Sequence, residues 1–380
     1  MRRVLILGGG FGGLAAARRL RAALDAEDEV ILVDRRAHFM MGFRKTWGLV
    51  GAAPLEAGQR PLRALERHGI QFVQGDLTAL DLVGRAAEVD GARYAADAII
   101  VALGAELAPE TVPGLVENSH NVYDPWAIPR AAEALRAFTG GRLGIGIFGA
   151  PYKCPPAPFE MALLIQGFFA QRGVSATLEV FSPLPLSLPI LGESGCSVID
   201  ARLAEHGIGF FANHKATAVE GREVVFANGQ RRAYDLLLAV PPHRAPAVVR
   251  QSGLTNGGPW APVDPRTLAT KFPGVYAVGD VVEIMMANGK PLPKAGVFAE
   301  AMGLAAAEGI LAGFEGRGSA ARFEGTGGCF LETGPGEAML VRGEFLAEPG
   351  PRVELTEPSR AFFDEKRAFE AERLKAWFEG

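Results

Sequence analysis

The sequence predicts an α/β fold built from two doubly wound, parallel-sheet domains, and three observations predict it. Residues 4–7 are a short apolar run that ends at a cluster of glycines. The helically spaced Ala, Leu and Arg segment 14–24 follows, and Val30 to Val33 opens a second strand, so the chain begins with a βαβ unit. Further strand signals at 71–73, 98–103, 143–148, 178–181, 236–240 and 275–278 are mostly fully apolar, as strands covered on both faces tend to be. A helix pattern at 129–138 before the strand at 143 starts a second α/β unit near residue 120, which ends near residue 240.

The expected organisation follows. Residues 1–115 form the first part of domain one, 116–240 the second domain, and 241–315 the second part of domain one, where a strand, a loop and an Ala-rich helix over 280–311 fold back onto it. Residues 316–380 form a C-terminal region of β hairpins at 320–350 and a helix at 359–378. A mass of 40.3 kDa is more than one core usually supports.

With 48% hydrophobic and 22% charged residues and a net charge of −4, the composition is that of a soluble globular protein and excludes nucleic acid as a partner. No uninterrupted apolar run reaches the ~18 residues of a bilayer span; the longest candidates are Ala98 to Leu107 and Leu236 to Val240. The first strand starts directly after Met1-Arg2-Arg3, which leaves no room for a signal peptide and predicts a cytoplasmic protein. Cys154, Cys196 and Cys329 are too few and too scattered for a disulfide framework or a zinc site. The histidines at 38, 68, 120, 206, 214 and 243 show no ligand pair, so no metal is expected.

The strongest motif is Gly8-x-Gly10-x-x-Gly13 between strand and helix, with Asp34 at the end of the next strand, 21 residues beyond Gly13. Gly8 permits the tight turn, Gly10 lets the backbone approach a pyrophosphate at the positive helix N-terminus, and Gly13 allows close packing of helix on strand. An acid at Asp34 hydrogen-bonds ribose hydroxyls. This pattern by itself does not distinguish FAD from NAD.

Two later segments point to FAD. Ala98 to Gly104 is a buried strand ending in glycine, and Thr270 to Asp280 is a strand ending in Gly279-Asp280. With these the chain resembles the two-domain flavoproteins of the pyridine nucleotide-disulfide oxidoreductase superfamily. The resemblance implies two Rossmann-like, three-layer ββα-type dinucleotide-binding domains of the glutathione-reductase kind, plus a small C-terminal region. It also implies that Asp280 holds the ribitol, that Asp34 binds the adenosine ribose, and that Gly104 and Gly279 allow close backbone contact. By family position Phe11, Gly12, Arg35, Leu77, Ala102, Leu103, Lys294 and Gly296 join the cofactor-binding set.

A second glycine pattern, Gly144-x-Gly146-x-x-Gly149, lies inside a strand. The loop that ought to cradle phosphates, 150–160, carries Pro151, Pro155, Pro156 and Pro158, which lack N–H donors. NAD binding is therefore not expected. The loop presents Cys154 ahead of a helix beginning near Phe159, where the helix dipole and Lys153 are expected to favour a thiolate.

Tyr152-Lys-Cys-Pro-Pro-Ala-Pro-Phe-Glu160 is similar to the redox-cysteine loop of the flavin subunits of flavocytochrome c sulfide dehydrogenases and, more loosely, of sulfide:quinone oxidoreductases. Gly253 to Asn256, Trp260 to Asp264 and Pro291 to Gly296 agree, and Gly327-Gly-Cys-Phe330 matches the place of the second redox cysteine. The resemblance implies a Cys154–Cys329 redox pair, 175 positions apart in the chain, which sulfide or a related small sulfur compound attacks. Two electrons then pass to FAD and onward to a quinone or cytochrome. Lys294 stabilises the reduced cofactor. Glu160 is either a proton relay or simply a favourable charge in a helix's first turn.

The sequence departs from that pattern in places. No cysteine stands in the segment 38–42 that tethers FAD in the flavocytochrome subunit, so noncovalent FAD is expected. No third catalytic cysteine stands at 121–124, and Cys196 reads as an ordinary core or surface thiol. The apolar residues of the helix 359–378 fit two roles: docking on the flavin domain or on a partner in a homodimer, and peripheral membrane contact. Two other functions stay open: a type II NADH dehydrogenase, and a flavin electron-transfer subunit whose haem comes from another chain, since this one has no C-x-x-C-H.

Overall fold

The computed structural model describes residues 1–318 and 321–379; residues 319, 320 and 380 of the expected C-terminal region lie outside the described residues. In chain order the elements that frame the site begin with β1 (Arg3–Leu7), α1 (Phe11–Ala23), β2 (Glu29–Asp34), α2 (Arg44–Val50), β3 (Gln71–Gln74) and β4 (Ala98–Val101). The second unit carries β5 (His120–Asn121), α3 (Ile128–Ala137), β6 (Gly141–Ile147), α4 (Ala157–Arg172), β7 (Ala176–Phe181), α5 (Gly192–Glu205), β8 (Gly209–Phe211) and β9 (Leu236–Val240). The chain then returns through β10 (Val275–Ala277) and α6 (Gly296–Phe314) and closes with β11 (Thr326–Gly334), β12 (Glu337–Glu344), β13 (Arg352–Leu355) and α7 (Arg360–Phe378).

Two five-stranded parallel sheets result, ordered β10–β4–β1–β2–β3 and β5–β9–β6–β7–β8. Their central strands are apolar throughout: β1 buries Val4 to Leu7, and β9 buries all five of its residues, because both faces of each sheet are covered. A three-stranded antiparallel meander completes a third layer in each domain, over residues 77–95 in the first and 216–233 in the second. The chain crosses between domains twice, at Glu106–Leu107 and His243–Arg244, which pair antiparallel and are joined by an Arg244–Glu106 ion pair.

The structure corrects the sequence reading at three places in the fold. The strand expected over 98–103 ends at Val101, and the helix after Cys154 begins at Ala157, not near Phe159. Among the described residues one helix, α6, is long and apolar enough by length and composition to cross a membrane. Counting uninterrupted apolar runs misses it because Glu300 and Glu308 interrupt the stretch. Both acids are paired, with Arg373 and Arg19, and α6 lies in the core of domain one against α1. The two helices approach so closely that a Cβ at Gly303 would stand 2.1 Å from the Gly12 carbonyl oxygen.

The C-terminal helix α7 packs on domain one and on β12. Ser359 caps it by accepting from the Phe362 N–H. The Phe369 ring stacks on Phe11 at 6.5 Å, and Trp377 meets Phe11 and Phe39 edge-on at 5.2 and 5.5 Å. Docking on domain one is thus a contact this helix makes within the chain.

Candidate active site

The cleft of about 290 Å³ lies where the N-termini of α1 and α6, helix α2, the loop before α4, β11 and α7 converge. Of the residues singled out in the sequence, Gly10, Phe11, Asp34, Cys154, Glu160, Asp280, Lys294, Gly296 and Cys329 line it. The others stand around it. Gly8, at φ +112°, makes a turn so close to β4 that a Cβ there would lie 2.3 Å from the Ala102 oxygen, and a Cβ at Gly13 would lie 1.9 Å from the Gly8 oxygen. Leu103 packs against the core of domain one, Gly104 adopts φ +65°, and Gly279 adopts φ +77° beside Ala299. Arg35 is exposed beside Asp34, Gly12 faces α6, and Leu77 opens the first meander opposite Val89.

The glycine end of the cleft is built for a dinucleotide. Asp34 Oδ2 accepts from the Gly9 N–H at 2.7 Å and Oδ1 from the Arg36 N–H at 2.8 Å, which fixes the turn and holds the carboxylate at the cleft. Helix α1 has no side-chain cap and no acid in its first turn, and a Cβ at Gly10 would meet nothing within 4 Å. Uncapped N–H groups, open space and the positive end of a helix dipole together suit a pyrophosphate. Lys45, Lys153, Lys294 and Lys366 also line the cleft; of these Lys294 adds positive charge for an anionic cofactor, while Lys366 is matched by carboxylates.

Lys294 donates to the carbonyls of Asp280 (2.7 Å) and Val282 (3.0 Å) and lies 3.6 Å from the centre of the Trp260 ring. Burial pushes its pKa down to about 8, against the opposing charges of Asp280 and Glu283. The backbone of Lys294 also anchors the cysteine loop. The Cys154 N–H donates to the Lys294 carbonyl at 2.7 Å, Lys153 and Lys294 form a parallel bridge, and the Tyr123 hydroxyl donates to the Cys154 carbonyl at 3.1 Å. Cys154 is held at φ +52°, a left-handed conformation that costs energy for a residue with a side chain.

Cys154 and Cys329 are both unbonded thiols at this cleft, Cys329 arriving on β11 opposite Val341 of β12. Burial and then the neighbouring Cys154 raise the Cys329 pKa. The expectation that Lys153 and the α4 N-terminus favour a Cys154 thiolate is corrected. Burial, followed by Glu160, raises that thiol above its ordinary range, and the cations that oppose the shift are Lys45 and Lys366. Cys196 is buried in domain two, where its Sγ donates to the Leu188 carbonyl.

Glu160 does more than sit in a helix's first turn. Its Oε2 accepts from the Glu332 N–H at 3.0 Å and its Oε1 from Lys366 Nζ at 2.9 Å, and Lys366 also donates to Glu332 at 2.7 Å. Trp47 Nε1 donates to the same Glu332 oxygen. Burial works against the Lys366 charge, but the two carboxylates outweigh it and hold its pKa above the ordinary value; burial raises Glu332. Sequence reading missed Lys45, Tyr123, Glu332 and Lys366 as site residues. The buried triad carries no spacing signal, since Lys366 reaches its partners across 206 and 34 residues.

The second glycine pattern binds aromatic rings. Cβ atoms at Gly144 and Gly146 would stand 2.8 Å from Tyr234 and 2.3 Å from Phe181, so these glycines make room for side chains under the second sheet. Among the described residues no group of three His, Cys, Asp or Glu is placed to hold a metal ion.

Comparison with known proteins bears on this architecture directly. The model of the pyridine nucleotide-disulphide oxidoreductase family matches residues 2–303, most of the chain. The chain belongs to this family. It is a flavin-dependent oxidoreductase. Within the family's range it is similar to the mitochondrial sulfide:quinone oxidoreductase of Mus musculus, 25% identical over 370 residues, or 91% of this chain and 79% of that protein. It is also similar to an NADH dehydrogenase-like protein of Mycobacterium tuberculosis, 26% identical over 75% of this chain and 74% of that protein. Its fold matches the sulfide:quinone oxidoreductase structure from Aquifex aeolicus with a TM-score of 0.88 at 22% identity, covering 99% of this chain and 92% of that one.

Proposed function

We propose that this flavin-dependent oxidoreductase oxidises sulfide, or a related small sulfur compound, through Cys154 and Cys329 and delivers the electrons by way of noncovalent FAD to a quinone. The observation that carries the reading is the meeting of these two cysteines, far apart in the chain, at one cleft with the glycine turn, Asp280 and Lys294. The names of the relatives in Mus musculus and Aquifex aeolicus support it. FAD, when bound, supplies a two-electron acceptor that can pass electrons onward.

The chain's own groups do the rest. With the pair oxidised, the sulfur of sulfide bonds to one cysteine sulfur, the Cys154–Cys329 bond breaks, and the other cysteine leaves as a thiolate; sulfide loses two electrons and the pair gains them. A second sulfide then takes the outer sulfur off the persulfide as a hydrodisulfide, which leaves both cysteines as thiolates, and re-forming their disulfide gives up the two electrons that bound FAD would accept. The Lys294 ammonium and the α1 N-terminus stabilise negative charge in the cleft. Phe11, Phe39, Phe43, Phe330 and Phe369 give it an apolar aromatic side that suits a quinone ring better than a soluble cytochrome.

We place the reaction on the cytoplasmic side of a membrane, with peripheral contact through residues 359–378. There Phe363 lies beneath Arg360 and Arg367, a pattern that suits an anionic surface. The NADH dehydrogenase reading has the Mycobacterium tuberculosis relative in its favour. Against it stand the ring-filled glycines Gly144 and Gly146 and the loop prolines.

Purified protein is expected to reduce a water-soluble quinone analogue with sulfide as donor and to reduce cytochrome c far more slowly; turnover with NADH alone would overturn the reading. Because no cysteine stands in the segment 38–42 at the cleft, acid precipitation is expected to release all of the flavin into the supernatant, and yellow pellet would contradict noncovalent binding.

A further inference from the structure

Around Cys154 lies a set of ionisable groups that the exchange of sulfur bonds leaves without a role. Lys45, on α2, is 6% exposed and lines the cleft with Cys154. Among the described residues it has no carboxylate partner: Nζ donates to the Tyr123 carbonyl at 3.3 Å and lies 4.8 Å from the centre of the Tyr123 ring. The Tyr123 hydroxyl donates to the Cys154 carbonyl, so one residue ties amine and cysteine loop together. Trp126 lines the same cleft and is 47% exposed, so the cleft opens to solvent next to this cluster.

The other candidates for proton exchange are engaged or unsuited near neutrality. Lys366 is clamped by two carboxylates, and Lys294 by two carbonyls. Burial raises the phenols of Tyr123 and Tyr152. His243 packs edge-on against Tyr123, leaves Nε2 without a partner among the described residues, and is pushed down to about 3 by burial and by Lys153. Lys153, whose own pKa burial lowers, answers first among its charged neighbours to Asp280. For Lys45, burial and the Lys153 charge push the pKa down to about 7, opposed by Cys154, Asp124 and Asp280. A buried amine pushed down to that range can both take up and return a proton near neutrality.

We propose that Lys45 is the acid–base residue of the sulfur half-reaction, taking a proton from hydrogen sulfide beside Cys154 and holding the resulting hydrosulfide as an ion pair while it attacks. The inference rests on the sulfide reading above. In the step, the amine becomes an ammonium and hydrogen sulfide becomes hydrosulfide. A bond forms between the hydrosulfide sulfur and Cys154 Sγ as the Cys154–Cys329 bond breaks, and the electron pair leaves on Cys329 Sγ. Charge balances, with one ammonium made for one thiolate.

The test is the pH dependence of anaerobic, stopped-flow flavin reduction by sulfide in the holoenzyme. The native rate is expected to pass through a maximum near neutrality and to fall on the alkaline side, where amine and sulfide have both lost their protons. In Lys45→Met the rate at neutral pH falls about a hundredfold, and the alkaline limb disappears because the rate follows hydrosulfide alone. Lys45→Arg keeps the cation, lacks the alkaline limb, and recovers rate at high pH. An alkaline limb unchanged in Lys45→Met, or a neutral rate equal to the native one, overturns the assignment. If sulfide fails to reduce the native flavin at all, the sulfide reading has failed. The amine's coupling to sulfur is then judged by alkylating dithiothreitol-reduced holoenzyme with iodoacetamide and following the Cys154 peptide by mass spectrometry. A midpoint shifted to higher pH in Lys45→Met supports the coupling, and an unmoved midpoint overturns it.

Discussion

Replacing either Cys154 or Cys329 with serine lowers the rate of flavin reduction by sulfide on the order of a thousandfold, while dithionite still reduces the flavin fully. The two positions act as one unit: sulfide needs an S–S bond to attack, and neither sulfur alone supplies it. The double variant is therefore no slower than either single one. Flavin content is retained, because serine fits the space of each thiol and Cys154 is fixed through its backbone, by Lys294 and Tyr123, rather than through its side chain. An NADH dehydrogenase would lose little activity in either variant, so stopped-flow reduction of the three variants separates the readings as well as testing the pair.

The second large effect is on stability. Lys366 is 1% exposed and joins Glu160 and Glu332, which are buried alongside it. Lys366→Met leaves two carboxylates facing each other without a cation, and breaking a buried ion pair in this way costs about 3–5 kcal/mol. The loss is expected as a lowered Tm and as easier proteolysis of α7, which Lys366 fastens to β11 and α4. The pH dependence has a definite sign. Burial raises Glu332 above its unfolded value, so the folded state binds that proton more tightly, and stability falls as pH rises through the window between the two values. Without Lys366 that effect grows, so the deficit of the variant is largest at alkaline pH and shrinks on acidification. Melting curves of both proteins across pH check this; a deficit independent of pH would mean that lost packing, not charge, sets the cost.

Much of the fold was legible because its signals are local. The apolar runs of β1, β4, β6 and β9 and the turn Gly8 to Gly13 report their structure from neighbouring residues alone. The meanders at 77–95 and 216–233 went unread because their short strands are half exposed and show neither clean alternation nor an apolar run. Helix α6 hid its length behind two glutamates whose arginine partners come from distant helices.

The site was legible only in part. Asp34 and Gly10 follow from the spacing of one motif, whereas the pairing of Cys154 with Cys329 was reached through family resemblance, since nothing in the chain between them signals that they meet. The thiolate expectation for Cys154 failed for a physical reason: sequence shows that Lys153 is adjacent, but not that burial and Glu160 govern the thiol. Lys366 and Glu332 look like ordinary surface charges of a helix and a hairpin until the tertiary fold buries them together.

The most direct test of the central claim is an anaerobic titration of the purified protein, with sulfide in one cuvette and NADH in another, followed by the flavin absorbance. The account predicts bleaching or a long-wavelength charge-transfer band with sulfide at one equivalent per flavin and an unchanged spectrum with NADH. Reduction by NADH with no response to sulfide would contradict it.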